Sequence, residues 1–260
     1  MRIAILALIA ALVASGGAAA QQDSSAPAGT SWAADQKLLA DVESAAHASG
    51  ILSVASHAQD MEQALAKAEF TYRDGDAVYI LTDGAGEAMI ASVVAGKAAG
   101  VKTVTTLDNP YPYIALYLGS YYDETGKYDD AVRVMDLGLA ASAISGMSLG
   151  EGRPLLFTER GEALNQLRRF DDALANFNEA LKIDNLATGI HAHLLRGRGY
   201  TYTELGRLDD AEADYKQSLL LEPGNAGAEH ELGYIDGLRK GAMPTKGNLT
   251  PLQPPAGGAH

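Results

Sequence analysis

The sequence predicts a mainly α fold: about three helical hairpins and a capping helix stacked as a solenoid, preceded by a small α/β segment with two or three parallel strands. Three observations carry this expectation. The segments KYDDAVRVMDLGL, RFDDALANFNEAL and RLDDAEADYKQSL recur in one register on Ala131, Ala173 and Ala211. A second helical segment carrying a glycine precedes each of them, at Gly119, Gly161 and Gly199. Only residues 31–110 hold β-branched runs bounded by glycines, the signature of strands.

The elements follow in chain order. Met1 and Arg2 lead an apolar run from Ile3 to Val13, and Ala18-Ala19-Ala20 supplies small residues before Gln21. This is the pattern of an export signal peptide over 1–20, and its apolar run is too short to span a membrane. Cleavage after Ala20 would leave a periplasmic or secreted chain with no remaining membrane span. Residues 21–30 read as a flexible leader.

Residues 31–110 form the α/β segment. Ser31 to His47 is amphipathic, with Ala34, Leu38, Val42 and Ala45 at helical spacing and Gly50 as its stop. Residues 77–82 and 101–107 read as parallel strands joined by a helix from about Gly86 to Ala98. Residues 51–55 suit a third strand or the start of a helix equally well, and Gln59 is spaced from Ser56 for a capping box. The joint is Asn109-Pro110-Tyr111-Pro112-Tyr113, where the prolines restrict the backbone.

Residues 111–240 hold the hairpins. An Asp-Asp pair that can cap a helix start follows Tyr128, Phe170 and Leu208, and small residues (Gly119 with Ala131, Gly161 with Ala173, Gly199 with Ala211) would let paired helices approach closely. The insertion AISGMSLGEGR at 143–153 reads as a loop, and 226–239 as a capping helix. Residues 241–260, rich in proline and glycine, cannot form a core, and the Asn-Leu-Thr at 248–250 is discounted as a glycosylation site. These segments resemble tetratricopeptide repeats, helical pairs of about 34 residues. The resemblance covers roughly 113–238, with departures at Met135, Gly138 and Leu164, where an aromatic residue, an alanine and a tyrosine are typical.

Composition narrows the function. Twenty Lys and Arg against 33 Asp and Glu give the chain a formal charge of −13, which repels nucleic acid. With no cysteine there is no disulfide, thiolate metal site, cysteine nucleophile or lipid-bearing cysteine. His191 and His193 lie two apart on a helix and so diverge, although His230 on the capping helix could face His193; no metal and no cofactor are expected.

The resemblance implies that the first helix of each pair lines a groove for a peptide or partner protein. Its lining would be Tyr113, Leu116, Ser120 and Asp123; Leu155, Thr158, Glu162, Asn165 and Gln166; His193, Arg196, Tyr200 and Thr203; and His230 and Tyr234. Asn165 and Gln166 would bond a peptide backbone, Arg196 a carboxylate, and Tyr200 with Tyr234 an apolar side chain. The lysine and asparagine set that grips chaperone C-termini is missing, since Leu116 and Ser120 stand at matching places. The expected function is a non-enzymatic, exported interaction scaffold in a cell-envelope process. The alternative is a small-ligand or catalytic site at the strand ends, using His57, Asp83 and Asp108, with the repeats recruiting the partner. The Gly84-Ala85-Gly86 turn is a poor phosphate loop, with Met89 at the third glycine position and Asp83 and Glu87 beside it.

Overall fold

The computed structural model describes residues 30–82, 95, 97, 100–142 and 152–242. The expected signal peptide, nearly all of the expected leader, Asp83, most of the expected crossover helix, most of the 143–153 insertion, and residues 243–260 lie outside the described residues. The chain divides into two compact units, Met1–Glu159 and Arg160–His260.

In the first unit, helix α1 (Trp32–Ser49) ends at Gly50, whose φ of 78° reverses the chain. Its buried face is Asp35, Leu39 and Val42, rotated from the expected Ala34 and Leu38 stripe. Hydrogen bonds cause the rotation. Asp35 Oδ2 accepts the Tyr111 hydroxyl at 3.0 Å, while Trp32 Nε1 and Gln36 Nε2 donate to the Asp108 carbonyl at 2.8 and 2.9 Å.

Residues 51–55 are not a strand. They open a 3₁₀ helix, Ile51–His57, with Ile51 and Val54 buried at its period of three. Ser53 Oγ binds the carbonyls of Ala45 and Gly50, a local bond that turns the backbone away from strand geometry. Helix α2 (Ala58–Ala66) follows without a side-chain cap, so the capping box expected from Ser56 does not form.

The sheet has three strands in the order β1 (Thr71–Asp74), β2 (Ala77–Thr82), β3 (Thr103–Asp108). β2 and β3 are parallel, as expected, but β1 pairs antiparallel to β2, which makes the sheet mixed. The signal for β1 was the Asp-Gly at 74–75: Gly75, at φ 58°, opens a two-residue hairpin between Asp74 and Ala77.

Helices α3 (Tyr111–Glu124) and α4 (Tyr128–Ala141) form the first hairpin. Asn109 clips it to β3, donating from Nδ2 to the Ala141 carbonyl at 3.1 Å and accepting the Tyr111 N–H at 3.2 Å. The 3₁₀ helix and α2 pack on α3, and α2 also reaches α4. Glu62 makes the polar part of that contact: it accepts the Tyr122 hydroxyl at 2.8 Å and both terminal nitrogens of Arg133. α1 with the 3₁₀–α2 segment is therefore a further helical hairpin stacked ahead of the first.

Helix α5 (Gly152–Gln166) contains the boundary between the units. The second unit continues with α6 (Phe170–Ala180), α7 (Thr188–Glu204), α8 (Leu208–Leu221) and α9 (Ala226–Arg239), the expected cap. Three details repeat in the hairpins α3–α4, α5–α6 and α7–α8. The first helix ends in a six-residue closure, from Lys127 N to Tyr122 O, Arg169 N to Leu164 O and Arg207 N to Tyr202 O, with Gly126, Arg168 and Gly206 in the left-handed region. The Asp-Asp pairs do not cap. They lie in the first turn after Lys127, Arg169 and Arg207, where their charge meets the positive helix end.

The third detail concerns the small residues. Ala131, Ala173 and Ala211 are fully buried, yet what fills the space over each paired glycine is the residue four places later. A Cβ added at Gly119 would lie 2.4 Å from Met135, at Gly161 2.4 Å from Phe177, and at Gly199 3.1 Å from Tyr215. Each glycine is the floor of a socket for one large side chain.

Candidate functional site

In the first unit, Leu116 and Leu155 are core residues with almost no exposure, so neither lines an open surface. Ser120 is buried and donates to Glu159 Oε2 at 3.2 Å, and Thr158 bonds back to the Pro154 carbonyl of its own helix. Asp123 is buried, and Tyr113 is half-buried with its ring 3.4 Å from where a Cβ on Gly152 would stand.

In the second unit the polar residues expected to meet a ligand meet one another. Buried His193 faces Glu162 with Nε2 and Oε1 2.6 Å apart, joining α7 to α5. Asn165 Oδ1 accepts the Thr201 hydroxyl at 3.0 Å. Arg196, only 6 % exposed, donates to Glu222 Oε2 at 2.6 Å, so the side chain expected to take a partner's carboxylate already holds one. Thr203 is buried and bonds the Gly199 carbonyl. Gln166, Tyr200 and Tyr234 stay half-buried and His230 exposed. His230 lies 3.5 Å from Glu231, and among the described residues no three His, Asp or Glu side chains gather as a metal site.

Sequence reasoning missed the carboxylates around Tyr200. Burial raises the Glu204 carboxyl above its ordinary range, and the charge of Glu231 adds to the shift while Tyr200 and Arg168 oppose it. It also missed Arg198, which clasps buried Asp214 with Nε and Nη2, both at 2.7 Å, and donates to Asn178 at 2.8 Å, tying α7 to α8 and α6. These pairs cross between helices far apart in sequence, so no local spacing announces them.

The strand-end residues fare differently. His57 closes the 3₁₀ helix and not a strand. Asp108 is exposed at the end of β3, where its carbonyl, not its carboxylate, holds Trp32 and Gln36. His57 and Asp108 share no hydrogen bond or ion pair, and Asp83 is outside the described residues.

What decides the kind of repeat is the third hairpin, whose glycine socket and closed turn lie between Leu195 and Asn225. Residues 195–225 match the tetratricopeptide repeat. The sockets and turns of the first two hairpins repeat those of the third in the same register. Several solved tetratricopeptide structures are similar to this chain. The first such domain of Spaghetti (RPAP3), bound to an HSP90 peptide, is 27% identical, with 52% of this chain and 97% of that chain covered and a TM-score of 0.44. The second domain of human RPAP3, in complex with an HSP70 peptide, is 28% identical, with 48% and 98% covered and a TM-score of 0.40. A thermophilic tetratricopeptide protein of Thermus thermophilus, TTC0263, is 14% identical, with 90% and 98% covered and a TM-score of 0.41. No curated protein matches the sequence.

Proposed function

We propose that this chain is an exported, non-enzymatic interaction module that holds a peptide or partner protein on the first-helix face of its repeats, in a cell-envelope process. One observation carries the reading: in the second unit, three cross-helix pairs (Glu162–His193, Asn165–Thr201, Arg196–Glu222) fix the helices beneath a face that leaves Gln166, Tyr200 and Tyr234 partly open. A face held rigid by its own bonds loses little side-chain entropy when it binds. Tyrosine supplies large contact area with few rotors. Export rests on the signal pattern of residues 1–20.

The test is a crosslinking pull-down from envelope extract with residues 21–260, beside a Gln166→Ala, Tyr200→Ala variant whose circular dichroism matches the parent. A protein recovered by the parent and lost from the variant supports the face. The same protein recovered by both moves the site elsewhere. N-terminal sequencing of the chain from the periplasmic fraction checks export, which predicts a start at Gln21.

A further inference from the structure

Helix α9 keeps a socket that nothing described fills. Leu232-Gly233-Tyr234 stands 34 residues after Arg198-Gly199-Tyr200, and α9 ends in a closed turn of the same kind, one residue later relative to its glycine than in the other first helices, with Ala242 N bonded to Gly237 O and Gly241 at φ 85°. At Gly119, Gly161 and Gly199 a large side chain from the following helix sits over the glycine, but an added Cβ on Gly233 meets no atom within 4 Å among the described residues. The opposite side of α9 is satisfied: Ala228 and Ile235 are buried in one cluster with Ala211 and Tyr215.

We propose that the Gly233 face of α9 receives an amphipathic helix from a partner protein, which supplies one Met, Phe or Tyr to the socket and so completes a fourth pair. The chain itself supplies the template for this occupant three times over, in Met135, Phe177 and Tyr215. Charge defines it further. Glu229 lies one turn before Gly233 on the same side of α9 and is exposed, while Asp236, one turn after, is already paired with Lys240 at 2.5 Å, so the incoming helix carries Lys or Arg on the Glu229 side of its large residue. Residues 243–260 of this chain are a poor occupant, because Pro244, Pro251, Pro254 and Pro255 forbid a helix like α4, α6 or α8. This face is separate from the one carrying Tyr200.

The probe is a labelled, side-chain-stapled peptide of residues 169–182 bearing Leu181→Lys, which replaces a half-buried residue one turn after Phe177 and, in an antiparallel pair, meets Glu229. It is titrated into residues 21–260 and read by fluorescence anisotropy. Binding is expected, with affinity at least tenfold weaker for the peptide carrying Phe177→Ala and for the chain carrying Gly233→Leu. That chain variant keeps its fold, since the added side chain enters open space and glycine is the poorer helix former. Its thermal midpoint should equal or exceed the parent's. Binding that ignores Gly233→Leu, or no binding at all, overturns the proposal. Binding that appears only after deletion of residues 243–260 overturns it in favour of the chain's own tail. A partner lost through Tyr200→Ala but kept through Gly233→Leu would leave the first-helix reading standing while this one falls.

Discussion

Arg168 occupies the turn position that Gly126 and Gly206 fill in the other two hairpins, with φ of 59° against 76° and 72°. A left-handed backbone is free for glycine and costs a residue with a Cβ on the order of 1 kcal/mol. The second hairpin therefore already bears a cost that the other two avoid. Gly206→Ala should lower stability by about 1 kcal/mol. Arg168→Ala should change it less, through loss of its charge near Glu204 and of the guanidinium contact with Phe170, the latter worth about 0.5 kcal/mol at an exposed site. Chemical denaturation of the two variants measures this asymmetry, and equal losses would contradict it. The arginine was visible in the sequence, but its backbone conformation was not, because Leu-Arg-Arg reads as a continuing helix until the repeats are superposed.

At the scale of the element, the contact between paired helices is a glycine under one large side chain. Gly161 shows it most tightly, since an added Cβ would stand 2.4 Å from the Phe177 ring and 2.8 Å from Asn176 Nδ2. Gly161→Ala should therefore cost about 1–3 kcal/mol through overpacking, although alanine favours a helix. A thermal melt checks the sign, and an unchanged midpoint would show that the ring moves aside freely. The leading hairpin is held in another way, by Glu62. The hydrogen bond from Arg133 pulls the Glu62 carboxyl below its ordinary range, with help from the Tyr122 hydroxyl, and outweighs partial burial. A carboxyl that binds its proton more weakly in the folded state adds stability at pH above its unfolded value. That stability is lost as pH falls through the folded value. Arg133 and Glu62 are partly exposed at 48% and 30%, so solvent screens the pair and the contribution is about 1 kcal/mol or less. Glu62→Gln should lower stability at neutral pH and make it fall less steeply below about pH 4.5. Urea midpoints at pH 7 and pH 3.5 decide the matter, and parallel losses at both would refute it.

At the scale of the whole molecule, stability in helical-hairpin arrays is a sum of units and nearest-neighbour contacts. α9 covers Ala211 and Tyr215 through Ala228 and Ile235, with Leu232 partly buried beside them. Ending the chain after Gly224 should expose that cluster and speed hydrogen exchange through α8 and α7. Amides of β2 and α3, in the other unit, should keep their protection. Loss of protection in both units at once would mean that the chain folds as a single cooperative body.

The sequence by itself determined the repeats, the capping helix, a first helix read over 31–47 and the parallel pair β2 and β3. Each depends on patterns within one or two turns or one strand: an apolar period, a glycine stop, a β-branched run. It left 51–55 open, because Ile-Leu-Ser-Val-Ala satisfies strand and helix alike, and the Ser53 bonds to Ala45 and Gly50 that decide the case depend on how the chain turns at Gly50. It did not reveal the leading hairpin, which lacks the Asp-Asp pair and begins its second helix as 3₁₀. Only the tertiary structure decided the direction in which the polar residues of the first helices point. His193, Asn165 and Arg196 have the spacing of a ligand-lining stripe. Glu162, Thr201 and Glu222, brought close by the stacking of the hairpins, satisfy them first, because a buried charge or amide must be paired within the fold before it can serve a partner.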